Sequence, residues 1–303
     1  MTRRLLSIGG SGFVSGTLTR RAVAAGWDVF AISRGERPLP KGVTGLRADR
    51  KDAAAFESAL AGCPDFDLVV DCIGYDREDA VQDVESFRER TPRFVFISTD
   101  FVFDPAFRSF PQGEASDHYQ VDGYGGKKRQ CEQVLLDSDC GEMSWSVLRP
   151  CHIYGPGSEL GCLPTHGRDR ELIAKMQRQE ILSLVGGGHF LQQPILAADL
   201  ADLILSLADC SAADGQIFQA AGPDIVESRA YYQIIAELLG VPLQIEELAV
   251  DAYLQQNPAS APFLCHRIYD LSRLAATGAC VPSTALVDGL RSQVESMRLP
   301  VKE

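Results

Sequence analysis

The sequence lacks a long hydrophobic run, a Cys-x-x-Cys pair and any block of like charge. No stretch approaches ~20 consecutive apolar residues, so a membrane-spanning helix is excluded. The 9 cysteines are odd in number and scattered, which excludes a secreted disulfide framework and indicates reduced thiols in a cytoplasmic protein. The 5 histidines form no i, i+4 pair and have no cysteine at metal-ligand spacing, so we expect no metal site.

Basic residues are scarce as well. The chain has 29 Lys and Arg against 41 Asp and Glu, a formal net charge of -12 at pH 7. An acidic surface repels phosphate backbones, so we expect no nucleic-acid partner, although local donors can still bind a small anionic ligand. The composition, 45% hydrophobic and 23% charged over 303 residues, is typical of a globular protein with a sizeable core.

The first half of the chain alternates short apolar runs with helical stretches. Strands that are apolar on both faces and separated by helices indicate a parallel sheet between two helix layers, the Rossmann-type doubly wound α/β fold. We expect a dinucleotide-binding domain over 1–150 that also receives segments near 195–222, and a mostly substrate-binding region over 151–303. The predicted strands of the first half are Leu5–Ile8, Asp28–Ile32, Val43–Ala48, Asp67–Cys72, Arg93–Ser98 and Trp145–Leu148.

A glycine-rich turn connects the first predicted strand to the first predicted helix. Its sequence is Gly9-Gly10-Ser11-Gly12-Phe13-Val14-Ser15-Gly16. Glycines at such a turn let the backbone approach a pyrophosphate, which the N–H groups of the helix N-terminus then bind. The position predicts a dinucleotide site, although a tight turn without a ligand has the same local pattern.

The end of the second predicted strand bears on which dinucleotide is bound. A ribose 2′-hydroxyl is usually held by an acid at this point, whereas this chain has Ser33 followed by Arg34, with Arg37 nearby. Hydroxyl and guanidinium groups bind a 2′-phosphate that a carboxylate would repel, so we expect NADP, with NAD as the alternative. Alternatively, Arg34 is solvated or stacks on the adenine.

Tyr124 and Lys128 are spaced i, i+4 on a helix predicted from about Tyr124 to Leu136. This spacing puts both side chains on one helix face, where a cation can stabilise the phenolate that acid–base catalysis requires. Lys127, at i+3, is an alternative partner, and the pair alone also fits a solvated helix face. Ser98 and Thr99, at the carboxyl end of the fifth strand, can hold a substrate carbonyl oxygen or cap turn amides.

These pieces together resemble the extended short-chain dehydrogenase/reductase superfamily, specifically its NAD-dependent epimerase/dehydratase group. The resemblance extends from Ile8 to about Gly289. One departure is Ser15 at the third glycine position. The resembling motifs are Gly9-x-x-Gly12-Phe13-Val14, Ser98-Thr99 before Val102-Phe103, Tyr124-Gly125-x-x-Lys128, Leu148-Arg149-Pro150-x-x-Ile153-Tyr154-Gly155, Asp199-Leu200-Ala201 and Asp270-x-Ser272-Arg273-Leu274.

The resemblance implies roles for individual residues. Tyr124 is similar to the catalytic acid/base, Lys128 to its ribose-holding partner and Thr99 to the residue that binds the reacting oxygen. The implied cofactor contacts are Gly9, Gly12, Phe13, Val14, Ser33, Arg34, Asp49, Arg50, Cys72, Ile73, Gly74, Lys128, Pro150 and His152. The implied substrate contacts are Asp100, His166, His189 and Gln193. Alternatively, His166, His189 and Gln193 are ordinary loop or core residues without a role in binding.

The implied function is an NADP(H)-dependent oxidoreductase or epimerase. It would transfer a hydride at a carbinol or carbonyl carbon of a nucleotide sugar or another small carbonyl compound. The alternative is a non-catalytic NADP(H)-binding or redox-sensing regulatory module, since the chain also resembles an atypical branch that includes chloroplast stem-loop RNA-binding proteins. The presence of both Tyr124 and Lys128 favours an enzyme over a binding module. Phe101 stands where dehydratases of the group have a Glu, which argues against dehydration. The family resemblance also implies a homodimer.

Overall fold

The computed structural model describes residues 2–298. Its α-helices are α1 (Phe13–Ala24), α2 (Ala53–Leu60), α3 (Arg77–Phe87), α4 (Gly123–Asp137), α5 (Leu172–Gln177), α6 (Ala197–Ser206), α7 (Ser228–Leu239), α8 (Val250–Gln256), α9 (Ser272–Ala275) and α10 (Leu286–Arg298). Its strands are β1 (Arg4–Ile8), β2 (Asp28–Ser33), β3 (Val43–Arg47), β4 (Leu68–Asp71), β5 (Arg93–Ile97), β6 (Ser144–Pro150), β7 (Ile153–Tyr154), β8 (Leu182–Val185), β9 (Leu191–Gln192), β10 (Ile195–Leu196), β11 (Gln216–Ala220), β12 (Val226–Glu227) and β13 (Ile245–Leu248).

The centre of the fold is a parallel sheet of 7 strands in the order β11-β6-β5-β4-β1-β2-β3. Helices cover both faces, which is why the strands are apolar on both sides: Leu5 packs in one core cluster with α1 and α6, and its neighbour Leu6 packs in the other with α2, α3 and α4. The predicted doubly wound Rossmann-type fold is confirmed. Strand β11 comes from the second half of the chain and pairs with β6 at the sheet edge.

Helix α3 is an element that the sequence pattern did not reveal. It begins at an Asp76 N-cap and buries Asp79 and Asp83 among its apolar positions, so charged residues interrupt the apolar stripe that marks an amphipathic helix. Its place beside α4, on one face of the sheet, puts these carboxylates below the carboxyl end of β4.

The remaining elements form a second region beside the carboxyl edge of the sheet. Three two-stranded sheets, β7 with β10, β8 with β13 and β9 with β12, surround a core that includes Tyr231, Tyr232 and Leu290. Among residues 2–298, no helix combines the length and apolar character needed to cross a bilayer. The division of the chain at residue 150 stays a prediction.

Candidate active site

The glycine turn lies between β1 and α1 with its backbone closely packed. Gly9 has φ +86°, and a Cβ on Gly10 would lie 2.4 Å from the Cβ of Ala31 in the neighbouring strand. At Gly12, the N-cap of α1, an added Cβ would meet only the Ser15 hydroxyl, at 3.2 Å. Glycines are therefore required where the turn meets the sheet, while its outer side stays open.

Ser15 takes part in the cap of α1. Its buried hydroxyl accepts a hydrogen bond of 3.1 Å from the Gly12 N–H and so satisfies one of the free donors of the helix start. The departure from glycine at this position thus adds a polar contact within the turn.

Two cavities share this turn. The first, named here the Arg34 cavity, measures about 370 Å³ and lies at the carboxyl ends of β2 and β3. The second, the Tyr124 cavity, measures about 530 Å³ and lies at the ends of β4, β5 and β6. Both are lined by Gly12, Ser15, Ile73 and Tyr75, so the two cavities adjoin at the glycine turn.

The structure brings most of the predicted residues to these cavities. Those lining the Arg34 cavity are Gly9, Gly12, Ser33, Arg34, Asp49, Arg50 and Ile73. Those lining the Tyr124 cavity are Gly12, Phe13, Val14, Cys72, Ile73, Thr99, Asp100, Tyr124, Lys128, Pro150 and His152.

Thr99, Tyr124 and Lys128 all line the Tyr124 cavity. The close approach of α4 to the turn at 100–102 depends on Gly125, where a Cβ would lie 2.0 Å from the Phe101 carbonyl oxygen. The Tyr124 ring is half exposed and packs edge-on to Phe101. Burial of the hydroxyl and the nearby Tyr75 raise the pKa of Tyr124, while the Thr99 hydroxyl lowers it.

Lys128 is 2% exposed, and its ammonium group donates a 2.6 Å hydrogen bond to the Gly74 carbonyl oxygen. The same group lies 4.2 Å from the centre of the Phe96 ring. Burial lowers the pKa of Lys128, and the Asp71 carboxylate opposes this. Gly74 therefore takes part in the site through its carbonyl group.

The buried Asp71 carboxylate holds the loop that follows β4. It accepts hydrogen bonds from the Ile73 and Gly74 N–H groups, at 2.7 and 2.9 Å, and from Arg50 at 2.8 Å. Arg50 lines the Arg34 cavity, but the residue as a whole is only 7% exposed. Its guanidinium group forms ion pairs with Asp71, Asp79 and Asp83. The resemblance implies a cofactor contact at Arg50, whereas in the structure its charged group pairs with these carboxylates.

Asp100 lines the Tyr124 cavity, yet its carboxylate is fully engaged. Arg267 binds it with Nε at 2.8 Å and Nη2 at 2.6 Å, and Arg108 and the Tyr269 hydroxyl also donate to it. Burial raises the pKa of Asp100, but the two guanidinium groups outweigh burial and lower it below its usual value. The side chain is thus a structural anion.

The other three predicted substrate residues lie outside the lining of the Tyr124 cavity. His166 contacts Asp169 at 3.3 Å, and the exposed His189 contacts Glu227 at 3.1 Å. The buried Gln193 amide is occupied by the Gly222 carbonyl and the Tyr269 N–H. Gln193 supports the segment that carries Tyr269.

Two cavity residues that sequence reasoning missed are Arg168 and Arg267. Each belongs to a segment without a recognisable motif. Burial, Arg168 and Arg267 together lower the pKa of His152 to about 3, so this imidazole is neutral near pH 7. His152, Arg168 and Arg267 all line the Tyr124 cavity.

Comparison with known proteins identifies the family. Residues 5–221 match the model of the NAD dependent epimerase/dehydratase family. The chain belongs to this family. The predicted family, fold and class, an enzyme of the short-chain dehydrogenase/reductase type, are therefore confirmed.

A curated relative in sequence is the chloroplast stem-loop binding protein of 41 kDa b from Arabidopsis thaliana. It is 23% identical over 257 residues, which cover 79% of this chain and 64% of that protein. The chain thus spans less than two thirds of its relative's length. The match agrees with the resemblance to the atypical branch of the family.

Two solved structures share the whole fold. UDP-glucose 4-epimerase from Thermotoga maritima, with UDP-glucose, is 16% identical with a TM-score of 0.78, covering 97% of this chain and 98% of that chain. UDP-glucuronic acid 4-epimerase from Bacillus cereus, with UDP-glucuronic acid and NAD, is 16% identical with a TM-score of 0.74, covering 97% and 99%. At this identity the likeness shows the fold.

The cavities of this family member fit an extended dinucleotide. The outer side of Gly12 is open where a pyrophosphate would lie, and no acidic residue stands in the first turn of α1 to repel it. The Arg34 and Tyr124 cavities extend to either side of that point. Across the described part of the chain, no group of three or more His, Cys, Asp or Glu side chains is placed to hold a metal ion.

Proposed function

We propose that the protein is an NADP(H)-dependent oxidoreductase or epimerase. It exchanges hydride at a carbinol or carbonyl carbon of a nucleotide sugar or another small carbonyl compound. The observation that supports this most is the convergence of Thr99, Tyr124 and Lys128 on one cavity that continues into the glycine turn. An i, i+4 pair on a solvated helix face would not include a lysine that is 2% exposed.

The Tyr124 hydroxyl holds the proton that is exchanged with the substrate oxygen. Its raised pKa keeps it protonated near pH 7, the form that donates a proton during carbonyl reduction. The Thr99 hydroxyl faces the same space and orients the substrate oxygen. A bound nicotinamide dinucleotide supplies the hydride chemistry, and Lys128 and Gly74 would hold its ribose.

The state of Asp100 supports reduction or epimerisation over dehydration. A general acid near pH 7 needs a proton, but the pKa of this carboxyl group is lowered by Arg267 and Arg108 despite burial. The next residue, Phe101, has no acidic group. The chain thus has no free acid beside Thr99.

The Arg34 cavity supports NADP(H) over NAD(H). Ser33, Arg34 and Arg37 line it where a 2′-phosphate would lie. Glu36 also lines this cavity and forms an ion pair with Arg34 at 2.9 Å. When the cofactor binds, Arg34 must therefore leave Glu36 to contact the 2′-phosphate. Both side chains are exposed, so this exchange costs little.

A non-catalytic redox-sensing module is less well supported. Burial and Asp71 raise the pKa of Cys72 to about 12, and burial also raises the pKa of Cys151. Both thiols near the site are therefore protonated near pH 7 and react slowly with oxidants. Cytoplasmic location, a homodimer and the absence of a nucleic-acid partner stay predictions.

Analysis of the bound nucleotide tests this proposal. The purified protein is denatured, any released nucleotide is identified, and the protein is then titrated with NADPH and NADH by fluorescence. A retained nucleotide indicates an epimerase cycle, which regenerates its cofactor within each turnover, whereas free exchange with tighter binding of NADPH indicates a reductase. Failure to bind either nucleotide would overturn the proposal.

A further inference from the structure

The wall of the Tyr124 cavity beside Thr99 is positively charged in a protein with a net charge of -12. In the buried cluster below this wall, one carboxylate, Asp100, faces the guanidinium groups of both Arg108 and Arg267. The Tyr269 phenol of the same cluster stays protonated, because burial and Asp100 raise its pKa. The cluster therefore carries an excess positive charge.

Arg267 has donor capacity left over. Its Nε and Nη2 bind Asp100, and its third nitrogen, Nη1, has no hydrogen-bond partner within residues 2–298. The residue is 3% exposed and lines the cavity. Because Nη1 is not among the fully buried unpaired nitrogens, it is accessible and can donate to a ligand in the cavity.

Arg168 adds a second cation to the lining of the Tyr124 cavity. Among the described residues it makes no ion pair, although its neighbours Asp169 and Arg170 are paired with Lys175 and Glu159. Its guanidinium carbon lies 5.8 Å from the centre of the Phe13 ring, within the cavity lining, and its backbone has a φ of +56°. Arg168 is exposed and lines the cavity, so its charge is available to a ligand of opposite charge.

We propose that the substrate carries an anionic oxygen group, a carboxylate or a phosphate, that binds to Arg168 and Arg267. Guanidinium groups bind two oxygens of such a group at once, which gives both affinity and orientation. Asp100 directly follows Thr99, and Arg267, the partner of Asp100, lines the same cavity as Thr99. The anion belongs to the reacting part of the substrate, not to a remote diphosphate.

This inference rests on the proposed function, and two matched ligand pairs separate it from that function. UDP-glucuronic acid and UDP-glucose differ only at a carboxylate, while glucose 6-phosphate and glucose differ only at a phosphate. Each ligand is titrated calorimetrically into protein saturated with NADPH. Binding of NADPH is measured first, so a failure of the proposed function appears there and a failure of the inference appears only in the second titration.

Arg168→Gln is the main variant, because this exposed side chain makes no ion pair within residues 2–298 and the substitution removes only its charge. The control is Arg170→Gln, an exposed arginine outside the cavity lining. We expect the charged member of at least one pair to bind about 10- to 100-fold more tightly than its neutral partner, with the preference lost in Arg168→Gln and kept in the control. A preference within the UDP-sugar pair indicates a carboxylate on the substrate, and a preference within the glucose pair indicates a phosphate.

Arg267→Lys provides a second readout, since it keeps the charge facing Asp100 but loses the planar donor edge. We expect this variant to bind the charged ligand less tightly, while its affinity for NADPH stays unchanged. Equal binding within both pairs, a preference that survives Arg168→Gln, or no binding of any of the four ligands would overturn the inference.

Discussion

The Lys128 ammonium group and the Gly74 carbonyl oxygen are 2.6 Å apart, and this hydrogen bond ties the predicted catalytic lysine to the loop after β4. The loop is itself held by Asp71, through hydrogen bonds of 2.7 and 2.9 Å from Ile73 and Gly74. The position of Lys128 therefore depends on a carboxylate that never faces the substrate oxygen.

Asp71 and its neighbour Asp83 are equally buried, but their pKa values are shifted in opposite directions. Burial and Asp71 raise the pKa of Asp83, whereas Arg50 lowers the pKa of Asp71 despite burial. Asp71→Asn removes the ionised partner of a buried arginine, so we expect the free energy of unfolding to fall by about 3 kcal/mol. Denaturant unfolding measures the change.

Asp83→Asn is the matched control, because the pKa of Asp83 is shifted upwards, so this carboxyl group is the more easily protonated of the two, and an amide has a similar size. We expect it to cost under about 1 kcal/mol and to leave NADPH binding unchanged. Equal costs for the two substitutions would contradict the opposite pKa shifts of these two carboxyl groups.

The pKa of Tyr124 predicts opposite pH dependences for the two reaction directions. Its raised value keeps the phenol protonated near pH 7, so the rate of carbonyl reduction should be flat there and fall at alkaline pH. The rate of alcohol oxidation should rise with pH over the same range, since that direction needs the phenolate.

Tyr75→Phe tests why the pKa of Tyr124 is raised, because Tyr75 is its second cause after burial. Profiles of kcat/KM against pH should shift to lower pH in this variant. A profile that stays in place would show that Tyr75 has no influence on the Tyr124 hydroxyl.

The preference for NADP(H) should depend on Arg34. Arg34→Ala removes a charge-assisted contact to the 2′-phosphate, so we expect KM for NADPH to rise about tenfold and KM for NADH to stay nearly constant. Glu36→Gln should have the reverse effect and lower KM for NADPH, because it removes the competing carboxylate. Equal effects of Arg34→Ala on both nucleotides would place this side chain away from the 2′ position.

The buried Asp100 should make stability sensitive to acid. Its folded pKa lies below its unfolded value of about 3.9, so its contribution to the free energy of unfolding is fully present above that pH. The contribution is lost as the pH falls from there through the folded pKa. We therefore expect the stability difference between the native chain and Asp100→Asn to shrink below about pH 4. Asp65→Asn, at an exposed position, serves as the control.

The motifs near the strand ends predicted the fold and the meeting of Thr99, Tyr124 and Lys128. The carboxyl ends of parallel strands share one edge, so residues placed there are brought together whatever lies between them. The charge partners were not predictable in this way. Arg267 reaches Asp100 from a segment far along the chain, and no local pattern links them.

Sequence alone also left open where a side chain is directed. Arg50 follows Asp49 just after β3, yet its side chain is directed towards carboxylates of β4 and α3. Helix α3 was not predicted, because its buried acidic residues interrupt the apolar pattern of a helix. His189 lies on an exposed turn and pairs with Glu227. A motif assigns a residue to a region, and packing then decides which group it contacts.

Transfer of deuterium from NADPH labelled at the nicotinamide C4 tests the central claim, hydride exchange that depends on Tyr124. The acceptors are keto derivatives of UDP-sugars, the product is analysed by mass spectrometry, and Tyr253→Phe, outside the cavity lining, is the control. We predict transfer by the native chain and by the control, and a rate about 10²- to 10⁴-fold lower in Tyr124→Phe. Transfer that is undiminished in Tyr124→Phe, or no transfer by protein that binds NADPH, would contradict the assignment of this site.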